Sequence, residues 1–396
     1  MRIVDLTIQD IAFGGKGVAR DHGKAVFVPY TIDGEKVTAE IVREKRQFAE
    51  AELVEVRESS PHRVTPPCPY FGRCGGCAYQ HIDYEHHVGI KWRQVRDILR
   101  RIGKIAEPPI RPIIPSPDCY GYRNRITVHV EDGVVGFFRR ESNRLIDVES
   151  CPIAKDEVNQ ELHRLRESRP RDGHYTLRAG AGPRIFSQTN DAVAEALRQL
   201  VVGLVAPNQD LLIDAYCGAG FFAKALLDKF ERIVGIDWDR FAVEEAKKTA
   251  TAKETYIAGD VEEALVAAAH TPSPKDYGAG RAAMAAKQDT RVDEGGMDPW
   301  PLRSTAATTI VVDPPATGLT TRIRKAIAEL APETFIYISC NPATLARDLK
   351  DLTQRFDIES VTPLDMFPQT AEIETVAHLK RRDDRYIEDL GNEIAA

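Results

Sequence analysis

From about residue 190 onward the chain repeats one unit: a short apolar run, a polar or acidic residue closing it, then a helical stretch. Leu211–Asp214, Arg232–Ile236, Thr255–Ile257, Thr309–Val312 and Phe335–Ile338 are the apolar runs, and Val243–Thr251 and Arg322–Leu330 are among the helical ones. Strands that read as nearly unbroken apolar segments are covered on both faces, and helical crossovers between them dictate a parallel sheet. The pattern predicts a doubly wound α/β domain over 185–396. Ile358–Thr362 and Glu374–Leu379 are separated by too little chain for a helix, so they predict an antiparallel edge.

The front of the chain has a different period. Val26–Val28, Lys36–Val42 and Ala49–Val56 are β-rich, with turns at Gly14-Gly15, His22-Gly23 and Asp33-Gly34. Short strands at this density predict a small OB-like β-barrel over 1–60, closed off by Ser59-Ser60-Pro61 and Pro66-Pro67. Residues 61–184 read as a small irregular domain. It has a group of cysteines, one helix over Asp83–Ile102, and a hairpin joining Asn124–Val130 to Val134–Arg139. Residues 270–306 are rich in Ala, Gly, Pro, Ser and charge without a period, and read as a surface insertion.

At 43% hydrophobic and 29% charged, 396 residues can bury ample core, which excludes a disordered chain. No run approaches the ~18 apolar residues of a membrane helix, and the first residues carry no export signal, so a cytoplasmic location is expected. A net charge of −7 argues against a nucleic-acid partner, but it is unevenly spread. Residues 1–200 hold 31 basic and 28 acidic residues, and the rest hold 22 and 32. Two basic runs are interleaved with aromatics. Lys91, Arg93, Arg96, Arg100 and Arg101 flank Trp92, and Arg123, Arg125, Arg139, Arg140 and Arg144 accompany Tyr120, Tyr122, Phe137 and Phe138. Such sets can hold phosphates and stack bases, although each run alone also fits a solvated face.

The ends of the apolar runs carry the chemistry. Asp214-Ala215-Tyr216-Cys217-Gly218-Ala219-Gly220 is a glycine loop between strand and helix, where backbone can approach a ligand closely. Asp237 closes the next run, where a carboxylate can accept both ribose hydroxyls, and Asp260 follows the third, where it could meet an adenine amine. The set reads as a nucleoside site, not a phosphate site, because the dinucleotide fingerprint and the P-loop Lys are both missing. Asp313-Pro314-Pro315 places another acid at a stiffened strand end. Cys340 lies between a buried strand and a helix starting near Pro342. Backbone amides there are expected to lower the thiol pKa, although a buried apolar Cys is the commoner fate. Cys68, Cys74, Cys77 and the later Cys151 make a four-thiol set that suits zinc or an iron–sulfur cluster, and the close trio with a distant fourth favours the latter. Cys119 and Cys217 are left to packing.

An ordered series of these residues resembles a known family. The series is Phe186-Ser187-Gln188-Thr189-Asn190, Asp214-x-Tyr216-Cys217-Gly218-x-Gly220, Asp313-Pro314-Pro315, Ser339 to Asp348 (SCNPATLARD), and Asp365-Met366-Phe367-Pro368 followed by Glu374. It looks like the S-adenosylmethionine-dependent RNA 5-methyluridine methyltransferases. Gly14–Arg20 and Phe27-Val28-Pro29 resemble the TRAM domain many of them carry. The resemblance implies three parts: a TRAM barrel, an iron–sulfur-binding central part and a Rossmann-like methyltransferase domain. It implies Cys340 as nucleophile at uracil C6 and Glu374 as the base removing the C5 proton. It implies Gln188, Tyr216, Gly218, Gly220, Phe221, Asp237, Asp260 and Asp313 around the cofactor, and Cys68, Cys74, Cys77 and Cys151 as ligands of a [4Fe–4S] cluster. The implied partner is structured RNA, 23S ribosomal RNA first and a transfer RNA T-loop as the alternative, bound by a monomer. A cytosine-C5 methyltransferase and a non-catalytic RNA-binding relic are the competing readings. Three departures stand out: Ala316 where the family usually has Arg, Phe221 where Asn is frequent, and Gln369 and Glu372 where His is frequent.

Overall fold

A computed structural model describes residues 2–180, 187–270 and 308–382. The expected insertion and Phe186 fall outside the described residues, His270 apart. The architecture is mixed α/β, with three sheets in chain order.

The first sheet is built from β1 (Arg2–Thr7), β2 (Asp10–Ile11), β3 (Lys16–Asp21), β4 (Lys24–Pro29), β5 (Lys36–Glu44) and β6 (Phe48–Glu58), in the order β1-β5-β6-β4-β3-β2. β4 and β6 pair in parallel and the other neighbours are antiparallel. Three register shifts between β5 and β6 bend these long strands, as bulges do. Its core of Val26, Val28, Val37, Ala39 and Ala49 also takes in Tyr79, Ile82 and Ile90. The apolar core of the front sheet is therefore completed by chain well past residue 60.

Helix α1 (Tyr84–Arg101) starts where the sequence predicts, with Asp83 as N-cap accepting from the His86 N–H. The second sheet holds β7 (Arg125–Glu131), β8 (Val134–Phe138), β9 (Leu145–Asp147) and β10 (Gly173–Arg178), in the order β10-β7-β8-β9, with α2 (Asp156–Glu167) between β9 and β10 in sequence. The β7–β8 hairpin turns on Asp132 (φ 50°) and Gly133 (φ 78°), the left-handed pair that a tight two-residue turn requires. Ile126, Val128 and Val130 pack on Val158 and Leu162 of α2.

The remaining elements are α3 (Asp191–Leu204), β11 (Gln209–Ala215), α4 (Phe221–Ala225), β12 (Phe230–Asp237), α5 (Arg240–Lys248), β13 (Glu254–Ala258), α6 (Val261–His270), β14 (Thr308–Val312), α7 (Thr321–Leu330), β15 (Thr334–Ser339), α8 (Pro342–Leu352), β16 (Phe356–Leu364) and β17 (Glu374–Arg381). Their seven strands form one sheet, β13-β12-β11-β14-β15-β17-β16. It is parallel except for β17, which runs antiparallel to both neighbours. The antiparallel pairing of the last two strands matches the sequence, but β17 inserts beside β15 and leaves β16 at the edge. Alternation splits each strand between two cores. Leu211, Ile213 and Ala215 lie with α6, α7, α8 and Val95 and Leu99 of α1. Leu212 lies with Val193 and Leu197 of α3 and Val243 of α5. Helix α1 thus contributes Ile90 to the front core and Leu99 to the back one.

Candidate active site

The parallel order brings the C-terminal ends of β11, β12, β14 and β15 to one edge, and the acids and thiol of the sequence pattern collect there. Asp214, next to last in β11, is buried at 1% exposure. One carboxylate oxygen accepts the Ala223 N–H at 2.8 Å, tying the glycine loop to α4, and the other has no partner among the described residues. Burial, with Asp313 and Asp237 nearby, pushes its carboxyl up to about 7.

The loop is held open by backbone geometry. Tyr216 has φ 66°, Gly218 φ 53° and Gly220 φ 84°. A Cβ on Gly220 would fall 2.6 Å from the Tyr256 hydroxyl, so only glycine fits there. Asp237 takes the Gly218 N–H at 2.8 Å on one oxygen and the Asp239 N–H at 2.8 Å on the other, which fixes the plane of its carboxylate beside the loop. Asp260 is exposed and accepts the Glu263 N–H at 3.0 Å, capping α6, a structural duty the sequence reading did not foresee. Phe221 opens α4 and is half exposed. Gln188 Nε2 donates to Asp313 Oδ2 at 3.3 Å, joining the residues before α3 to the end of β14. Burial pushes the Asp313 carboxyl up to about 7.

Cys340 lies between β15 and α8, with Asn341 as N-cap and Pro342 at the start of the helix. The expected acidified thiol is not found. Burial pushes it up to about 12, and Glu374, Asp313 and Glu372 add to that shift, outweighing the helix start. Glu374, the first residue of β17, is 3% exposed and has one carboxylate oxygen without a partner among the described residues. Burial and its carboxylate neighbours Asp313 and Glu372 hold its pKa well above the ordinary range. The structure thus brings a thiol and two protonatable acids together.

The rest of the Ser339–Asp348 stretch shapes this corner. Asp348 is fully buried and accepts from the Leu319 N–H, the Tyr337 hydroxyl, Arg324 and Arg347. Arg347 also donates to the Thr317 carbonyl at 3.0 Å, and Thr344 to the Ala316 carbonyl at 3.1 Å. The motif's conspicuous Arg347 and Asp348 therefore hold the segment that follows Asp313-Pro314-Pro315.

The front half holds the segment leading into Glu374. The basic run around Trp92 suits a phosphate surface or a solvated face, but its first member, Lys91, is fully buried. Its Nζ donates to Asp365 Oδ1 at 2.7 Å, to the Phe367 carbonyl at 2.9 Å and to the Glu372 carbonyl at 2.8 Å. Tyr84 donates to the other Asp365 oxygen at 2.9 Å. Tyr122, read as a stacking residue, is likewise buried, its hydroxyl donating to the Pro368 carbonyl at 2.9 Å. The Ala78 and Tyr79 N–H groups both donate to the Gln369 carbonyl. Sequence position hid these roles, because only the fold shows that α1 lies against the back core.

Cys68, Cys74, Cys77 and Cys151 are free thiols that all line one cavity of about 410 Å³ between the cysteine loop and the second sheet. Among the described residues no three or more His, Cys, Asp or Glu side chains are arranged to hold a metal ion. Cys217 is buried in the back core, as the packing assignment expects.

Comparison with known proteins gives the class first. Over 95% of this chain and 100% of its own, the fold matches the crystal structure of Pyrococcus abyssi tRNA (uracil-54, C5)-methyltransferase in complex with S-adenosyl-L-homocysteine, at TM-score 0.67 and 22% identity. An uncharacterized RNA methyltransferase of Bdellovibrio bacteriovorus is 32% identical, with 95% of each chain covered. One of Halalkalibacterium halodurans is 27% identical over 96% of this chain and 97% of its own. The family model for tRNA (uracil-5-)-methyltransferase matches residues 155–382, and that for the TRAM domain matches residues 2–54. The chain therefore belongs to the RNA uracil-5-methyltransferase family, S-adenosylmethionine-dependent enzymes, and carries a TRAM domain at its front.

Proposed function

We propose that this protein methylates carbon 5 of a uridine in structured RNA through a covalent bond between Cys340 Sγ and carbon 6 of the uracil. The observation that carries the reading is the meeting of Cys340 with Glu374 and Asp313 at the sheet edge beside the Asp214–Gly220 loop. Carbon 5 of uracil is a poor nucleophile until a thiolate adds at carbon 6 and pushes electrons onto it. A thiol pushed up to about 12 does not ionise on its own, so its proton leaves as the bond forms, with the Asp313 carboxylate as acceptor, which keeps Glu374 free for the second proton. After methyl transfer, Glu374 takes the proton from carbon 5, the C5–C6 double bond re-forms and the thiolate departs. Asp313 faces the base and orients it through its ring N–H.

The cofactor reading rests on the same edge. A glycine that no Cβ can replace, the partnerless buried oxygen of Asp214 and the fixed carboxylate of Asp237 suit a cationic nucleoside ligand. Bound there, S-adenosylmethionine supplies an electrophilic methyl group. Gln188, Tyr216, Gly218, Gly220, Phe221, Asp237, Asp260 and Asp313 are the residues we assign to holding it. The four-thiol cavity is assigned to a [4Fe–4S] cluster. Four free thiols around one space suit a group held by four thiolates. Such a cluster supplies a covalent tie between the cysteine loop and Cys151. An anaerobic preparation with broad visible absorption, lost in Cys74→Ser, supports it; a colourless protein containing zinc overturns it.

For the substrate we take ribosomal RNA, on the family resemblance, and a cytoplasmic location with it. The T-loop of transfer RNA is the second reading, favoured by the fold shared with the Pyrococcus abyssi enzyme. Incubation of each unmodified RNA with methyl-labelled S-adenosylmethionine, followed by nucleoside analysis, decides between them. Label in 5-methyluridine supports the reaction, and label in 5-methylcytidine or in neither overturns it.

A further inference from the structure

Glu374 is well placed to take a proton and badly placed to lose it. It is 3% exposed, and burial together with Asp313 and Glu372 holds its carboxyl well above the ordinary range. Each methyl transfer replaces the hydrogen on carbon 5, so each turnover leaves one proton on Glu374. The thiol proton makes no such demand, because Asp313 accepts it and returns it to the departing thiolate. A proton on a buried carboxyl with a raised pKa stays there unless an acceptor links it to water.

Glu372 is placed to be that acceptor. Side chains alternate along β17 and the residue before it. Ile373, Ala377 and Leu379 pack on the α1 side of the sheet, and Val376 packs on the α3 side. Glu374 and, two residues before it, Glu372 therefore share the Val376 face. Glu372 is near enough for its charge to act on both Glu374 and the Cys340 thiol, and it is exposed. Two residues of extended chain span about 6.5 Å, a gap that one bridging water closes. The Glu372 backbone is fixed, its carbonyl accepting from Lys91 Nζ at 2.8 Å and its N–H donating to Thr370 Oγ1 at 3.4 Å. Glu374 Oε1 has no partner among the described residues and is free to meet that water. The other charged and titratable groups around the pair are Asp313 at the end of β14, Cys340 after β15, and Lys91 of α1 with its partner Asp365. Of all these groups Glu372 alone is exposed.

We propose that Glu372 is the proton exit of the reaction, taking from Glu374 the proton drawn from carbon 5 and passing it to solvent. The inference rests on the covalent uracil reading above and adds the step that readies Glu374 for the next turnover. The Glu374 O–H bond breaks as the bridging water takes its proton and gives another to Glu372, whose own O–H bond then breaks to bulk water. Both carboxyl groups return to their starting state. One proton is released for each methyl transferred, as replacement of C–H by C–CH3 from a sulfonium donor requires. Glu372 touches no reacting atom and acts through Glu374.

The test uses the full chain with Glu372→Gln and Glu372→His. Each is given saturating methyl-labelled S-adenosylmethionine and unmodified ribosomal or transfer RNA, whichever the parent labels. Turnover is followed across pH and at rising concentrations of imidazole, a small diffusible proton carrier, with melting curves to establish that each variant folds. In dilute buffer Glu372→Gln is expected to transfer about one methyl per protein at the parent's rate and then to turn over about tenfold more slowly than the parent. Imidazole restores its kcat, and KM for RNA is unchanged. Glu372→His, which can also carry a proton, works near the parent's rate. A Glu372→Gln protein with the parent's steady rate in dilute buffer overturns the relay. So does a shifted pH profile or a slow rate that imidazole leaves untouched, because a purely electrostatic or positioning part gives that result. A parent that labels uridine in neither RNA contradicts the covalent reading, and the relay falls with it. A parent that turns over beside an unaffected Glu372→Gln contradicts the relay alone.

Discussion

Asp214 shows how a single buried carboxyl connects stability, pH and ligand. Its pKa moves from 3.8 to about 7 on burial, so between those values the native state holds a proton that the unfolded chain has released. Stability then falls as pH rises through this window, by up to about 1.4 kcal/mol per pH unit for one group. Asp214→Asn keeps an oxygen for the Ala223 N–H and has no charge to desolvate. Thermal melts of the variant are expected to show a flatter decline between about pH 4 and pH 7 than those of the parent. A cationic ligand at the same edge favours the ionised carboxyls of Asp214 and Asp313. Cofactor affinity measured by calorimetry is therefore expected to strengthen from about pH 6 to about pH 8. Residue types and their order single out Cys340, Asp313 and Glu374, and the fold brings the three to one sheet edge. The state of the thiol was not legible, because it depends on carboxylates that β14 and β17 bring in from distant sequence. The burial of Lys91 was not legible for the same reason, since charge in a sequence says nothing of which face of α1 is covered.

Two short elements carry the site. The loop from β11 to α4 depends on Gly220, whose φ of 84° and closeness to Tyr256 leave no room for a side chain. Gly220→Ala is expected to cost about 1–2 kcal/mol of stability and to weaken cofactor binding, read by denaturant melts and calorimetry. The segment from Asp365 to Glu372 depends on the Lys91 ammonium. Burial favours the neutral acid at Asp365, yet the charge of Lys91 and its hydrogen bonds hold that carboxyl below the usual range. Lys91→Met leaves a buried carboxylate without its partner, and a loss of about 3–5 kcal/mol is expected. Adding Asp365→Leu should recover much of the stability but not kcat, because the Phe367 and Glu372 carbonyls that set the approach to Glu374 stay unheld. The period-2 and strand–helix signals made most elements legible in advance. Helix α2 was not among them: it buries only Val158 and Leu162, a stripe too narrow to stand out from a polar stretch.

At the scale of the molecule, the net charge of −7 is compatible with an RNA partner because the acidic excess lies in the catalytic half. The front half is not an appendage. It closes the front core with Tyr79 and Ile90, and it holds the Glu374 approach through Lys91, Tyr84, Tyr122 and the Ala78–Tyr79 backbone. Binding through guanidiniums on a chain of this overall charge is expected to be steeply salt-dependent. A plot of log affinity against log salt should have a negative slope. The alternation of helices and strands made the α/β sheet legible, and its register placed the site at one edge. The joining of front and back was not legible, because it is made by α1, whose apolar stripe serves two cores at once.

The central claim is a covalent path through Cys340 with release governed by Glu374. The most direct measurement is to incubate Glu374→Gln with unmodified RNA and methyl-labelled S-adenosylmethionine and resolve the products on a denaturing gel, with Cys340→Ala alongside. A labelled protein–RNA adduct that accumulates in Glu374→Gln and is absent from Cys340→Ala is the predicted result. Normal turnover by Glu374→Gln without an adduct, or methylation by Cys340→Ala at the parent rate, would contradict it.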